Sequence, residues 1–238
     1  MNIVFTKYNI REIGPIEFAT FEESQDPYSN RVRNRWKIEP QAMLAMSLLG
    51  SDSVFIDLGA NIGTISLPIV KKTKASCYAV EADSLNVQLL EAAIRKNNFT
   101  NINVINCAVY DKNCEVNISG SSAYATIKEG GTSQVSALTL DSIIEEYGID
   151  HVNLVKMDVE GAEMKVLKGA SKFFNKNPDT DIIFEANGAH CFNNGYMPQD
   201  LMKELEGRGY GFYMIFGNCL TKRNSNDFQE FGLVDYIA

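Results

Sequence analysis

Short apolar runs alternate along the chain with longer amphipathic runs. Runs typical of buried strands lie at residues 54–58, 75–80, 102–106, 152–157 and 181–184. Runs with apolar side chains at helical spacing lie at residues 39–49, 64–72, 85–97, 163–172 and 199–208. Because strands that alternate with helices pack as a covered parallel sheet, the pattern predicts an α/β fold with a doubly wound, mostly parallel sheet.

Other segments depart from this alternation. Residues 2–8 are strand-like, and residues 110–135 hold short alternating runs that predict a β-rich excursion. Residues 210–216 and 231–237 are predicted to pair as a closing antiparallel ribbon. These segments add antiparallel structure to the parallel sheet.

Length, charge and cysteine content narrow the class of protein. A chain of 238 residues with 45% hydrophobic residues fits one α/β domain, residues 39–238, with an N-terminal extension, residues 1–38, packed on it. A net charge of −8 argues against a general nucleic-acid or anionic-membrane binder. The 5 cysteines show no CxxC spacing, so neither a disulfide framework nor a zinc site is indicated. No apolar stretch approaches the roughly 20 residues of a membrane span, and we expect a cytoplasmic protein.

Successive predicted strands end in acidic residues. These are Asp57, Glu81, Asp158 with Glu160, and Glu185. The carboxyl ends of parallel strands lie at one edge of the sheet, where ligands of open α/β sheets bind. The sequence therefore predicts one crevice into which these carboxylates converge.

The first core strand runs into a glycine turn that indicates a nucleotide cofactor. A dinucleotide site needs Gly-x-Gly-x-x-Gly, but Asn61 occupies the second glycine position after Gly59, so a cofactor without a pyrophosphate is expected. S-adenosylmethionine fits, with Glu81 accepting both hydroxyl protons of its ribose. Glu39, just before Pro40, either stabilises a helix N-terminus or folds over the cofactor crevice.

Several runs resemble one known family. They are Phe55-Ile-Asp-Leu-Gly-Ala-Asn-Ile-Gly63, Val80-Glu-Ala82, Leu138-Thr-Leu-Asp141 and Leu154-Val-Lys-Met-Asp-Val-Glu-Gly-Ala-Glu-Met-Lys-Val-Leu-Lys-Gly-Ala170. They are similar to the FkbM-type family of S-adenosylmethionine-dependent methyltransferases. The resemblance covers about residues 39–185. It implies the class I methyltransferase fold, Rossmann-like, with seven strands and the last pair antiparallel.

The resemblance also implies a set of cofactor-binding residues. The matching positions are Asp57, Gly59, Asn61, Gly63 and Glu81, with Ala108 near the adenine. Ala82, Asp158 and Glu39 complete the expected cofactor site.

Two mechanisms remain open for the chemistry. In one, Mg²⁺ or Mn²⁺ is held by Asp158 and Glu185, with Glu160 or Asn187, and polarises the acceptor hydroxyl. In the other, no metal is used and Asp158 or His190 is the general base. The expected catalytic residues are thus Asp158, Glu185 and His190.

An arginine-rich segment is the candidate acceptor contact. Arg31, Arg33 and Arg35 precede Trp36 at alternate positions, so in an extended conformation their guanidinium groups share one face. The segment is either a solvated edge or a contact to the acceptor, because Arg binds anions and Trp stacks on sugars.

The leading functional hypothesis is an O-methyltransferase acting on a sugar hydroxyl in a glycan or glycoconjugate. The aromatic and amide-rich residues 187–196, with Trp36 and residues 110–135, would bind the sugar. The alternatives are a natural-product or lipid hydroxyl as acceptor, a NAD-type oxidoreductase, and a non-catalytic cofactor-binding module.

Overall fold

The computed structural model describes residues 1–24, 27–120, 126–127, 130–217, 219–226 and 233–238. The strands in this part of the chain are β1 Ile3–Ile10, β2 Gly14–Phe21, β3 Val54–Leu58, β4 Ser76–Glu81, β5 Ile102–Asn106, β6 Ala108–Val109, β7 Cys114–Ser119, β8 Thr126–Ile127, β9 Ser133–Leu138, β10 Leu154–Met157, β11 Asp181–Asn187, β12 Phe212–Phe216, β13 Cys219–Arg223 and β14 Leu233–Ile237. The helices are α1 Pro27–Arg35, α2 Pro40–Leu48, α3 Ser66–Thr73, α4 Ser84–Asn97, α5 Leu140–Glu146, α6 Glu163–Lys168, α7 Ser171–Lys176, α8 Gly188–Asn193 and α9 Pro198–Glu206.

The central sheet has the order β13-β12-β14-β11-β10-β3-β4-β5. Neighbours from β11 to β5 are parallel, whereas β14 is antiparallel to β11 and β12, and β13 is antiparallel to β12. The α/β prediction is confirmed, but the sheet is mixed and has eight strands in the described residues rather than seven. The extra strand is β13, whose residues are mostly exposed and carry no apolar run that would have predicted it.

Two apolar clusters cover the two faces of this sheet. Alternate side chains of a strand point to opposite faces, and the neighbours Phe55 and Ile56 accordingly belong to different clusters, both at 0% exposure. The strand order turns back between β3 and β10, which lie side by side. The carboxyl ends of these strands therefore border the crevice that such a switch point creates.

The N-terminal residues form a hairpin that packs on the core. β1 pairs antiparallel with β2, whose Ile16 and Phe18 are fully buried. Asn97 at the end of α4 bonds the backbone of Glu17 in both directions, at 2.9 Å and 2.7 Å. The strand-like pattern of residues 2–8 predicts β1, and no pattern in the sequence predicts β2.

The arginine segment is helical, so the prediction of an extended arrangement is wrong. Pro27 occupies the first turn of α1, where its missing N–H costs nothing, and Ser29 and Val32 point inward at helical spacing. In a helix, residues two positions apart point in nearly opposite directions, so Arg33 points away from Arg31 and Arg35 and the three guanidinium groups do not share one face.

A second sheet has the order β6-β9-β7-β8. It confirms the predicted β-rich excursion in the part that the structure describes; residues 121–125 and 128–129 of that prediction lie outside it. The predicted closing ribbon is also confirmed, since Tyr213 of β12 pairs with Ile237 of β14; residues 231–232 lie outside the described part. Within the described residues, no helix is long and apolar enough to cross a membrane.

Candidate active site

A crevice opens at the carboxyl ends of β3, β4, β10 and β11. Its volume is about 420 Å³, within the range of small-molecule pockets. The polar and small residues that line it include Tyr28, Arg31, Glu39, Gln41, Gly59, Asn61, Thr64, Glu81, Ala82, Ala108, Lys156, Asp158, Glu160, Glu185, Asn187, His190 and Asp235. The strand-end carboxylates therefore converge here as predicted, with the exception of Asp57.

The glycine turn after β3 forms one wall, which we call the cofactor wall. Gly59 has φ +79°, and a Cβ there would lie 1.9 Å from the carbonyl oxygen of Asp158, so only glycine lets this turn approach β10 so closely. Asn61 also adopts a left-handed φ, of +51°. Its backbone N–H donates to the Glu81 carboxylate at 2.8 Å, which ties the turn to the end of β4.

Glu81 is fixed by backbone donors on both sides. One carboxylate oxygen accepts the N–H of Asn61, and the other accepts the N–H of Asp83 at 2.8 Å. Burial raises the pKa of Glu81, and these donors oppose that rise. The apolar residues Ala108, Val109 and Ile118 are among those that line the same crevice.

Asp57 and Gly63 lie behind the turn and do not line the crevice. Asp57 is 0% exposed, and the Ser66 hydroxyl donates to its carboxylate. At Gly63, with φ +86°, a Cβ would lie 2.6 Å from Leu90 Cδ1, so this glycine serves helix packing. These two residues therefore support the turn from behind. Neither has a surface in the crevice through which it could make the predicted direct contact with a cofactor.

A buried lysine joins β3 to β10. Lys156 is 4% exposed, and its Nζ lies 3.2 Å from Asp57 Oδ1 and 3.4 Å from Asp158 Oδ2. It also donates to the Gly59 carbonyl at 3.0 Å. Sequence reasoning missed this role, although a lysine inside an otherwise apolar strand was a visible signal.

The opposite wall, which we call the reactive wall, gathers carboxylates with raised pKa values. Glu185 on β11 and Asp235 on β14 are cross-strand partners. Burial, with the negative charges of Asp158 and Glu160, raises the pKa of Glu185 to about 9. Burial raises that of Asp235 to about 6 and that of Glu160 to about 7. Like charges directly opposite destabilise a sheet, so this arrangement favours protonated or ligand-bound forms.

His190 completes the reactive wall. Its Nδ1 lies 2.8 Å from Glu160 Oε2, a contact that is an ion pair only when the ring is protonated and whose angles are not those of a hydrogen bond. One ligand atom each from Glu160, Glu185 and His190 lie within 4.8 Å of one another. The structure thus groups Glu185 with Glu160 and His190, whereas Asp158 pairs with Lys156.

Asn187 has a structural use in place of its predicted metal contact. Its side-chain oxygen accepts the N–H groups of Ala189 and His190 and caps α8, the helix that carries His190. The sequence analysis had treated this stretch as sugar-binding residues without assigning a helix. An oxygen engaged with two backbone donors is a poor candidate for a metal ligand.

The predicted acceptor residues do not reach the crevice. Trp36 is 4% exposed and packs on Phe18, with ring centroids 4.6 Å apart. Arg33 donates to the carbonyl of Phe21 at 2.7 Å, and Arg35 is exposed outside the crevice. Because α1 is helical, a different set of its side chains faces inward.

Tyr28 and Arg31 are the α1 residues that line the crevice. The Tyr28 hydroxyl is hydrogen-bonded to Thr64, and Arg31 forms an ion pair with Glu39, which places Glu39 at the rim. Tyr28, Gln41 and Asp235 were missed by sequence reasoning, because nothing local marks them as facing a distant strand end.

The Methyltransferase FkbM domain matches residues 57–212. The chain therefore belongs to the FkbM-type family of S-adenosylmethionine-dependent methyltransferases, as its motifs had predicted. The oxidoreductase alternative is set aside by this match. No curated protein matches the sequence significantly.

Three solved structures with the same fold are named as methyltransferases or methylases. Precorrin-6y C5,15-methyltransferase from Geobacter metallireducens has a TM-score of 0.50 at 11% identity, covering 82% of this chain and 85% of that one. A Streptococcus mutans protein assigned as a methyltransferase, in complex with SAH, has 0.50 at 10% identity, covering 85% and 97%. An rRNA methylase from Streptococcus thermophilus has 0.51 at 8% identity, covering 86% and 96%. These likenesses establish the class I methyltransferase fold and, at such identities, nothing about the acceptor.

Proposed function

We propose that this methyltransferase uses S-adenosylmethionine to methylate a hydroxyl group of a sugar in a glycan or glycoconjugate. The observation that carries the proposal is the Glu160–His190 contact of 2.8 Å with Glu185 beside it, in the same crevice as the glycine turn. A hydroxyl acceptor must lose its proton, and these groups are suited to take it. The bound cofactor supplies a methyl group on a positively charged sulfur.

The cofactor wall fits this cofactor. Asn61 and Glu81 are held against each other at the end of β4, where a ribose carboxylate is expected, and the apolar lining that includes Ala108 suits an adenine ring. The side chain of Asn61 takes the place of the glycine that a pyrophosphate would need. Ala82, Glu39 and Asp158 complete the proposed site, and the carboxylates of Glu39 and Asp158 would attract a cationic ligand.

On the reactive wall, His190 is the proposed general base. Glu160 lies on the Nδ1 side of its ring, where it stabilises the positive charge that forms when the ring takes a proton. Glu185 lies in the same group of side chains, but its pKa of about 9 means that it already carries a proton near neutral pH, so we do not assign it as the base. Asp158 is already paired with Lys156, so we assign it to the cofactor rather than to the base.

Polar side chains on the acceptor side support a sugar. Tyr28 is the aromatic residue among the described lining residues, and Arg31 and Gln41 add hydrogen-bond donors. Tyr28 thus replaces Trp36 as the candidate for stacking on a sugar ring. The excess of carboxylates disfavours a polyanion such as nucleic acid. A natural-product or lipid hydroxyl is the alternative acceptor.

A metal-dependent version of the same reaction is the second candidate. Glu160, Glu185 and His190 offer three ligand atoms within 4.8 Å of one another. Two carboxylates with an imidazole suit Mn²⁺ better than Mg²⁺. In this version, these three residues hold the metal, and Asp158 is replaced by Glu160 in the predicted ligand set.

The test is transfer of a labelled methyl group from S-adenosylmethionine to paired acceptors. Each sugar is tested beside analogues that each lack one of its hydroxyl groups. Simple alcohols and amines are tested as further acceptors. Parallel reactions contain a strong chelator, Mg²⁺ or Mn²⁺. We expect label in a sugar, lost in the analogue that lacks the methylated hydroxyl, and unaffected by the chelator.

Three results would revise the proposal. Label in amines alone would exclude O-methylation, and label in non-sugar alcohols alone would favour the natural-product or lipid alternative. Activity that disappears with chelator and returns with Mn²⁺ would establish the metal-dependent version.

A further inference from the structure

A buried carboxylate lies directly behind the reactive wall and does not line the crevice. Glu163, the first residue of α6, is 2% exposed. It accepts a hydrogen bond of 2.7 Å from the hydroxyl of Tyr196, which lies between α8 and α9. The proposed reaction uses neither side chain, so a buried Glu–Tyr link at this place needs its own explanation.

The other oxygen of Glu163 holds the turn that carries Glu160. It accepts the backbone N–H of Val159 at 3.1 Å and of Gly161 at 3.2 Å, on the two sides of Glu160. Glu160 has φ +53°, a left-handed conformation that is unfavourable for a non-glycine residue. These two hydrogen bonds stabilise the unusual turn and thereby fix where the Glu160 side chain begins.

Tyr196 connects the same carboxylate to the helix of His190. Its backbone N–H donates to the carbonyl of Cys191 at 3.1 Å. The side chain of Asn194 donates to the carbonyl of His190 at 2.9 Å. This end of α8 packs on Gly161, where a Cβ would lie 2.4 Å from Asn194 Nδ2 and 2.9 Å from the His190 carbonyl oxygen.

We infer that Glu163 and Tyr196 are positioning residues that hold Glu160 and His190 in register. Glu163 fixes Glu160 through the two flanking amides, and Tyr196 fixes the α8 end that carries His190. One carboxylate thus sets both sides of the 2.8 Å contact. The effect of these residues on catalysis rests on the proposed function. Their effect on the relative positions of Glu160 and His190 rests on the geometry alone.

The test is Tyr196→Phe, which removes only the hydroxyl. We expect kcat to fall about 10- to 100-fold, the range for residues that orient a catalytic group, with the KM for S-adenosylmethionine changed less than about twofold. In a Glu160→Gln background, the same substitution should lower kcat by less than about threefold, because residues that act through one partner are not additive. The matched control is Tyr210→Phe, since the buried Tyr210 hydroxyl has no hydrogen-bond partner among the described residues.

A second measurement does not depend on turnover. The chain has 2 histidines, so the ring C–H resonances of His190 and of the exposed His151 can be followed by NMR. Tyr196→Phe should shift or broaden the His190 resonance and leave that of His151 in place. Glu163→Gln, which keeps the size of the side chain, should give the same pattern and replaces Tyr196→Phe if that variant does not fold.

The outcomes separate the two ideas. A folded variant with an unchanged His190 resonance would overturn the positioning role. So would Tyr196→Phe lowering kcat by the same factor in the parent protein and in the Glu160→Gln background. A shifted His190 resonance in a protein that methylates no hydroxyl would keep the coupling and reject the proposed function.

Discussion

Both walls of the crevice carry glutamate carboxylates, but the surroundings of these carboxylates differ. On the cofactor wall, Glu81 accepts backbone N–H groups with both carboxylate oxygens. On the reactive wall, Glu185 has no hydrogen-bond donor among the described residues and faces Asp235 across the strand pair. The first carboxylate is held as a fixed acceptor, whereas the second has a pKa raised to about 9.

This difference shows how the environment of a glutamate sets its hydrogen bonding and its pKa. A carboxylate that accepts hydrogen bonds from the backbone keeps the adjoining turn in one conformation. Carboxylates that lie close together have raised pKa values and can take up and release protons nearer to neutral pH. The buried Lys156 lies where the walls meet, because it pairs with Asp57 of β3 and with Asp158 of β10. Substitutions on the two walls should therefore change different measured quantities.

The largest effect is expected on the reactive wall. His190→Gln should lower kcat about 10²- to 10⁴-fold, the usual contribution of a general base. The affinity for S-adenosylhomocysteine should change less than about threefold, because the cofactor wall is intact. Single-turnover rates and calorimetry measure the two quantities, with the exposed His151→Gln as the control. A loss confined to cofactor affinity would contradict the division between the walls.

At the junction, Lys156→Met should destabilise the protein by about 3–5 kcal/mol, because removing one partner leaves a buried charge uncompensated. Asp57 is the group left alone, at 0% exposure. Urea unfolding measures the change. The control Lys172→Met removes an exposed lysine and should change stability by less than about 0.5 kcal/mol. A loss under 1 kcal/mol for Lys156→Met would mean that Asp57 is not held as a buried anion.

On the cofactor wall, Glu81→Gln should raise the dissociation constant for S-adenosylhomocysteine about 10-fold or more, since hydrogen bonds to a charged group contribute about 1.5–3 kcal/mol. The turn at Asn61 loses its anionic acceptor at the same time. Calorimetry measures the affinity, and Glu91→Gln on the exposed face of α4 is the control. Unchanged affinity would place the ribose elsewhere.

The last prediction concerns the dependence of stability on pH. The usual pKa of a Glu side chain is 4.5, and that of Glu185 is about 9 in the folded protein. Between these values, the folded protein binds more protons than the unfolded chain, so its stability falls as pH rises, by at most about 1.4 kcal/mol per pH unit for each proton.

Glu185→Gln removes this group from the balance. Measured with chelator present, the variant should lose less stability between pH 5 and pH 8 than the parent, and should be the more stable of the two at pH 8. An identical pH dependence in both proteins would show that Glu185 is not protonated in the folded state. Greater stability with lower activity would fit a site whose carboxylates are crowded for function.

Much of the fold could be predicted from local patterns. The five parallel strands, the helices between them and the closing ribbon each carry a periodicity that neighbouring residues alone produce. The glycine turn and the acidic strand ends were also visible, because the geometry of a parallel sheet places them together. The strands β2 and β13 were missed, since their pairing partners rather than their own sequences define them.

The site itself was only partly predictable. The alternation of arginines before Trp36 suggested an extended strand, but burial of Val32 and packing of Trp36 on Phe18 favour a helix and a core position. Asp235 reaches the crevice through its pairing with Glu185, across 50 positions of sequence. Contacts of this kind depend on how distant elements pack, which no local pattern reports.

The sequence by itself thus determined the parallel strands, the glycine turn with Asn61 after the first of them, and the acidic residues at one edge of the sheet. Only the tertiary structure decided which carboxylates meet which partners. It paired Asp158 with Lys156, brought Glu160 to His190 and set Glu185 against Asp235. The physical reason is that covalent neighbours fix backbone conformation, whereas the charge around a side chain depends on residues far along the chain.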